Sequence, residues 1–177
     1  MKYNLQAKTI GPRIAFLLAE LYEQQKMIFS VRDVEKITGR DSNSARTLTT
    51  RLVSRGLATR IKPGLFILIP SELGHEREYL GNPYIVAAEI AGGENCFISH
   101  SSAMDIHQMV TQPQLVVYTT STKQIRPRSV IGTEFRFVSC KPKHFFGTTH
   151  HWVTKTQKVE VSDLERTVID GLRQSEN

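Results

Sequence analysis

Three breaks in the first seventy residues, Gly39, Gly56 and the pair Pro63-Gly64, divide the chain into segments whose apolar spacing changes from helical to β-like. That order constrains the fold more than any single residue does. Ahead of the first break, Ile10, Ile14, Leu17, Leu18 and Leu21 recur at helical spacing and predict an amphipathic helix from Lys8 to about Gln25, with Gly11-Pro12 blurring its start. Ser30 followed three residues on by Asp33 resembles a capping box. Val31, Val34 and Ile37 then share one face and Gly39 supplies a left-handed stop, which predicts a short second helix. From Ser42 to Arg55, Ala45, Leu48 and Leu52 fall on one face of a third helix. Past Gly56, the runs from Leu57 to Lys62 and from Leu65 to Ile69 read as two strands about the Pro63-Gly64 turn.

Three helices followed by a hairpin is the order of a winged helix-turn-helix. In such a motif the second helix of the pair enters the major groove. The face of the third helix opposite its apolar stripe carries Asn43, Arg46, Thr47, Thr50 and Ser54, none apolar and none acidic. Asn and Arg can make bidentate contacts to adenine and guanine. No Asp or Glu occurs from Ser42 to Ser71, whereas Arg46, Arg51, Arg55, Arg60 and Lys62 all lie there. A carboxylate desolvated against a polyanion would oppose binding, so this window suits phosphate contact. The expected DNA-binding set is Ser42, Asn43, Arg46, Thr47, Thr50, Arg51, Arg55, Arg60 and Lys62, with Arg46 reading a base and Arg55 and Lys62 on phosphates.

Charge supports the same assignment once it is located. The net charge is +6, but residues 1–70 hold 12 Lys or Arg against 5 Asp or Glu, while residues 71–177 hold 11 against 12. All of the basic excess therefore lies in the first segment, and double-stranded DNA is the partner expected there. A winged helix serving as a protein-interaction module is disfavoured by the same localisation.

Residues 71–80 are polar and read as a linker, which makes residues 81–177 a second domain. Asn82-Pro83 starts a helix that stops at Gly92-Gly93; a strand at Cys96 to Ile98 follows, then a helix from Ser99 to about Met109. β-rich runs come at Leu115–Thr119, Arg128–Ile131, Phe135–Ser139, Trp152–Lys155 and Lys158–Val161. Ser162 with Glu165 resembles a capping box for a last helix whose apolar face is Leu164, Val168 and Leu172. The fold class expected is α+β: an N-terminal winged helix-turn-helix and then a mixed α/β domain.

Little in the second domain suggests catalysis. His100 and His107 stand two helical turns apart, and the adjacent His150 and His151 would point to opposite faces of a strand, so no metal ion and no cofactor are expected. Ser99-His100-Ser101-Ser102 sets hydroxyls beside an imidazole without a nucleophile elbow, and Gly92-Gly93 is too short for a phosphate loop. A nuclease-like enzyme remains the alternative, on the weak likeness of Asp163-Leu-Glu-Arg to a carboxylate-x-Lys motif with Arg166 in the lysine position. With only Cys96 and Cys140, buried free thiols are expected rather than a disulfide framework. Neither an apolar run of membrane-spanning length nor a signal-like stretch after Met1-Lys2-Tyr3-Asn4 is present, so a cytoplasmic protein without membrane partners is expected.

The chain also resembles a known family. Ala45-Arg46, Leu52-Val53, Gly56-Leu57, Arg60-Ile61 and Pro63-Gly64-Leu65-Phe66 are similar to the winged-helix segment of the AbiEi family of type IV antitoxins of bacterial abortive-infection systems. Phe97-Ile-Ser-His-Ser-Ser-Ala-Met-Asp-Ile-His and Val161-Ser-Asp-Leu-Glu-Arg-Thr-Val-Ile-Asp resemble its strand-to-helix segment and its later helix. The resemblance implies that the winged helix represses its own promoter through operator repeats, and that the second domain counteracts a nucleotidyltransferase toxin. The residues it points to for that partner are Ser99, His100, Ser101, Asp163, Glu165 and Arg166. Family members continue with a glycine pair and further helices beyond the point where this chain stops at Asn177.

Overall fold

The computed structural model describes residues 10–112 and 115–174. Among them the chain forms six α-helices and two sheets, and it divides into two units, Met1–Leu80 and Gly81–Asn177. No helix among the described residues is long and apolar enough to cross a membrane.

In the first unit, α1 (Pro12–Glu23) begins at its proline, with Gly11 as an extended N-cap. Proline suits the first helical position because its φ is already helical and its missing N–H has no helical partner to lose. Ile10 is therefore outside the helix and exposed, rather than on its stripe, and the predicted start at Lys8 lies outside the described residues. Ile14, Leu17 and Leu21 are buried. The next element, β1 (Ile28–Ser30), is a strand that the sequence pattern did not reveal, since three residues are too few to show alternation.

Ser30 ends that strand and caps α2 (Val31–Thr38) in a reciprocal capping box with Asp33. Burial works to raise the Asp33 carboxyl, but hydrogen bonds from Lys26 and from the Ser30 hydroxyl and backbone N–H outweigh it and hold the group below the usual carboxylate range. Gly39, at φ +62°, stops the helix in the left-handed region that favours glycine. The third helix, α3 (Ser42–Ser54), starts at Asp41, whose side chain accepts the Ser44 backbone N–H at 2.7 Å.

Two further strands, β2 (Ala58–Lys62) and β3 (Leu65–Leu68), flank Pro63-Gly64, and a bulge lies between Arg60 and Lys62. The sheet has three strands in the order β1-β3-β2, all antiparallel, where a two-stranded hairpin was expected. Its pairing puts Phe29 opposite Phe66, with ring centroids 5.7 Å apart. Those rings join Leu17, Leu21, Val34, Ala45, Leu52 and Leu68 in one core. Each such fully buried aliphatic or aromatic side chain contributes roughly 1.5–3 kcal/mol.

The segment 71–80, expected to be a linker, belongs to this unit. It opens with a 3-10 turn at Ser71–Leu73, and the Tyr79 backbone N–H donates to Thr59 Oγ1 at 2.9 Å. Gly56, at φ +66°, also sits so close to Arg77 that a Cβ would meet its Cγ at 3.2 Å. Hydrogen bonding and packing, which its polarity did not reveal, tie the segment down.

The second unit starts with α4 (Pro83–Ala91), where Asn82 Oδ1 accepts the backbone N–H groups of Tyr84 and Ile85 and Gly92 ends the helix at φ +104°. Next come β4 (Cys96–Ile98), α5 (His100–Ile106), β5 (Val116–Ser121), β6 (Arg128–Val130), β7 (Thr133–Ser139), β8 (Thr148–Trp152), β9 (Lys158–Ser162) and α6 (Leu164–Gln174). The six strands form one mixed sheet in the order β6-β7-β5-β4-β9-β8. Near its centre β4 runs antiparallel to β5 and parallel to β9. Val86, Phe97, Ile98, Phe135 and Val161 are buried there.

Four expectations for this unit need correction. α5 stops at Ile106, with Gln108 left-handed at φ +58°, short of Met109. The eighth strand precedes its expected position: Trp152–Lys155 is largely the turn after β8, closed by the Val153 and Thr154 N–H groups donating to the Gln157 carbonyl. α6 is capped by Asp163, not Ser162, because Asp163 Oδ1 accepts the Arg166 N–H at 2.8 Å while the Ser162 hydroxyl pairs with Thr167 Oγ1 at 2.8 Å.

The expected apolar face of α6 is also inverted. Leu164, Val168 and Leu172 are 52%, 46% and 66% exposed, and the helix buries Arg166, Thr167 and Asp170 instead. These inward polar groups are hydrogen-bonded, Arg166 to Asp170 and to the His144 and Phe146 carbonyls, and Thr167 to Ser162 and Asp163, which is what makes a polar buried face tolerable. Gly171 of α6 lies beside the Met104 methyl of α5.

Candidate nucleic-acid interface

α3 presents two chemically distinct faces. Ala45, Leu48, Thr49 and Leu52 are buried and anchor it, while Ser42, Asn43, Arg46, Thr47, Thr50, Arg51 and Arg55 are exposed. Arg60 on β2 is exposed and Lys62 is half-buried. All nine side chains of the sequence-derived set thus belong to one unit, and eight of them face solvent.

A recess of about 1050 Å³ lies between α2, α3 and the β2–β3 turn, with Arg32, Glu35, Arg46, Thr50, Arg60 and Pro63 among its lining. Arg46 and Thr50 from the helix and Arg60 from the strand line one concave surface, although they are far apart in sequence. Arg32 and Glu35 were not anticipated. Their signal was available, because the polar face of α2 borders any helix that follows it in a helix-turn-helix.

Local hydrogen bonds shape what the helix can offer. The hydroxyls of Thr47 and Thr50 donate to the carbonyls of Asn43 and Arg46, both at 2.9 Å. With their protons directed along the helix, these threonines present a methyl group and an acceptor oxygen outward. Just before the carboxylate-free window, Asp41 is exposed, and the Ser44 backbone N–H and hydroxyl hold its carboxyl below the usual range. It is spent on capping α3.

The residues that the family resemblance assigned to a protein partner do not share one exposed surface. Ser99 is fully buried and Arg166 nearly so; His100, Ser101 and Asp163 are half-buried, and Glu165 is exposed. Ser99 occupies the N-cap position of α5 without capping through its side chain; its Oγ instead accepts from Thr120 Oγ1 and meets His100 Nδ1, each at 2.9 Å. Ser102 was overlooked: its Oγ accepts the Tyr118 N–H at 2.9 Å and donates to the Val116 carbonyl, joining α5 to β5. The imidazoles at 100 and 107 are engaged separately, His107 Nε2 lying 2.7 Å from the Ser162 carbonyl. Both cysteines are free thiols; Cys96 is buried, which pushes it up to about 11, and Cys140 is half-buried.

No family model and no curated protein matches the chain. It is similar in fold to the crystal structure of the RV2827C protein from Mycobacterium tuberculosis, with a TM-score of 0.54 and 16% sequence identity over 76% of this chain. The match spans 47% of that longer chain, about half its length. What the two share is architecture, a mixed α+β fold.

Proposed function

We propose that the chain is a sequence-specific DNA-binding transcriptional regulator whose first unit is a winged helix-turn-helix, with α2 and α3 as the helix pair and β2–β3 as the wing. The observation that carries this reading is the outward face of α3: Asn43, Arg46, Thr47, Thr50 and Arg51 are exposed on a helix held by Ala45, Leu48 and Leu52. Side chains able to read base edges project from a rigid, carboxylate-free element, and Arg60 of the adjoining strand extends the cationic surface. The sequence resemblance to AbiEi antitoxins extends the proposal to a cytoplasmic autorepressor that counteracts a nucleotidyltransferase toxin. A reading frame of that class beside the gene would support the extension, and its absence would remove it.

The direct test is fluorescence anisotropy with labelled DNA from upstream of the gene, titrated across salt. Log affinity should fall linearly with log salt, by about 0.9 for each phosphate neutralised. Absence of binding at low salt would sink the proposal.

Glu35 supplies a second check. A carboxylate in the recess with Arg32, Arg46 and Arg60 repels phosphate. Glu35→Gln should therefore tighten binding to all duplexes about 2- to 5-fold, the size expected for one partly solvated charge. Weaker binding, confined to sites with a particular cytosine, would instead make Glu35 a base reader.

A further inference from the structure

The second unit contains a recess of about 580 Å³, bordered by β5, the end of β7 with the segment after it, α5 and α6. That volume falls within the range typical of small-molecule sites. The wall is polar and cationic. Lys141, Arg166 and Arg173 line it together with the imidazoles of His100 and His144, against a single carboxylate, Asp170. The hydroxyls of Thr120 and Ser139 add donors and acceptors, and Val138 is the one aliphatic side chain in the lining.

The carboxylate is already committed. Arg166 Nε donates to both Asp170 oxygens at 2.9 Å, and Nη1 donates to the carbonyls of His144 and Phe146 at 3.0 and 3.3 Å. The guanidinium also lies over the Phe146 and Phe97 rings, 5.1 and 5.6 Å from their centroids. Arg166 is thus a rigid floor, and its Nη2 has no hydrogen-bond partner among the described residues. Lys141 and Arg173 are the cationic side chains of the lining that form no salt bridge among the described residues.

His100 is held in an unusual way. It is a non-glycine residue at φ +54°, a conformation that persists only where its surroundings impose it. The Thr120 hydroxyl donates to Ser99 Oγ, which lies 2.9 Å from His100 Nδ1. Burial lowers the basicity of this imidazole, and with Ser99 donating to Nδ1 the neutral ring carries its proton on Nε2. That tautomer would give the recess an N–H donor on a ring held in place from Nδ1.

We propose that this recess binds a phosphorylated, polyhydroxylated small molecule, its phosphate held by Lys141, Arg173 and the His100 Nε2–H above the Arg166 floor, and its hydroxyls by Thr120 and Ser139. Phosphate fits because several donors, two of them charged, converge from different elements, as a multi-oxygen anion requires. The hydroxyls of Thr120 and Ser139 in the same lining suit a hydroxylated remainder.

The test is a titration of the full chain with ribose 5-phosphate, followed by the histidine ring resonances in NMR spectra. The His100 and His144 signals should shift and saturate, while those of His75 in the first unit stay fixed. Ribose should leave them unmoved, and inorganic phosphate should bind more weakly than the ester. Lys141→Ala and Arg173→Ala, both near the surface and outside the Arg166 network, should each weaken binding about 10-fold. Arg46→Ala, which acts on the first unit, should leave the shifts intact, so failure of the DNA proposal would be separately visible. The inference is overturned if the His100 and His144 signals do not move, if ribose moves them equally, if inorganic phosphate binds as tightly as the ester, or if neither recess variant weakens the binding.

Discussion

Arg46→Ala is expected to weaken binding to the chain's own upstream DNA by about 5- to 150-fold, the 1–3 kcal/mol carried by one bidentate base contact. The helix itself should survive. Arg46 is exposed while its neighbour Ala45 and the adjacent Leu48 are buried, so the change leaves the core intact, and alanine is the better helix former. Unrelated duplexes should lose far less affinity, so the variant relaxes base preference. Lys62→Ala provides the contrast: if its ammonium contacts phosphate as proposed, its loss should weaken every sequence alike and reduce the salt slope by about one. Competition anisotropy with the upstream duplex and a scrambled one separates the two behaviours. Should Arg46→Ala weaken both duplexes equally, Arg46 binds phosphate and the α3 face is not docked as proposed.

Arg166→Ala should destabilise the second unit by about 3–5 kcal/mol, because it leaves the Asp170 carboxylate buried without its counter-charge. Both side chains are less than a tenth exposed, at 9% and 6%, so solvent screens the pair little. The loss should exceed the effect of removing the salt bridge alone, since Arg166 Nη1 also satisfies the carbonyls of His144 and Phe146 and the guanidinium packs on two rings. Replacing both partners, as in Arg166→Met with Asp170→Leu, should recover much of the stability by leaving no buried charge. Urea denaturation followed by circular dichroism measures the difference, with DNA binding reporting separately on the first unit. A single-variant loss below about 1 kcal/mol would mean that the pair behaves as a solvated one.

Between them these variants probe two polar surfaces of opposite character. On α3 the polar side chains face solvent. On α6 they face inward and are hydrogen-bonded to one another and to neighbouring backbone and side chains, while Leu164, Val168 and Ile169 face out. The hydroxyl chain from Thr120 through Ser99 to His100 adds a second buried polar network in the same unit, and its strained backbone at residue 100 is supported by hydrogen bonding from β5. Such arrangements are stable only when every member finds a partner.

Sequence reading succeeded mainly where the governing interactions are short in range. The Ser30–Asp33 box, the Asn82 cap, the stops at Gly39 and Gly92 and the buried stripe Ala45, Leu48, Leu52 all follow from groups within a few residues of one another. The outward face of α3 follows from the same helical period. It failed where partners are distant. β1 exists because Phe29 meets Phe66 across the sheet, and α6 buries Arg166 and Asp170 because carbonyls some twenty residues earlier in the chain are there to receive the guanidinium. One local signal also misled: Asp163 displaced Ser162 as a cap because the Ser162 hydroxyl is drawn into a buried pair with Thr167, five residues on.

Residue chemistry and periodicity thus specified the helices, the caps at Ser30 and Asn82, the charge asymmetry and the outward side chains of α3. Folding in three dimensions settled which strands neighbour one another, which face of α6 turns inward, and that Lys141, His100 and Arg173 border one recess. The physical reason is range: capping and helical facing are fixed by bonds closed within a turn, whereas a polar core and a binding recess require groups whose separation along the chain carries no record of their approach.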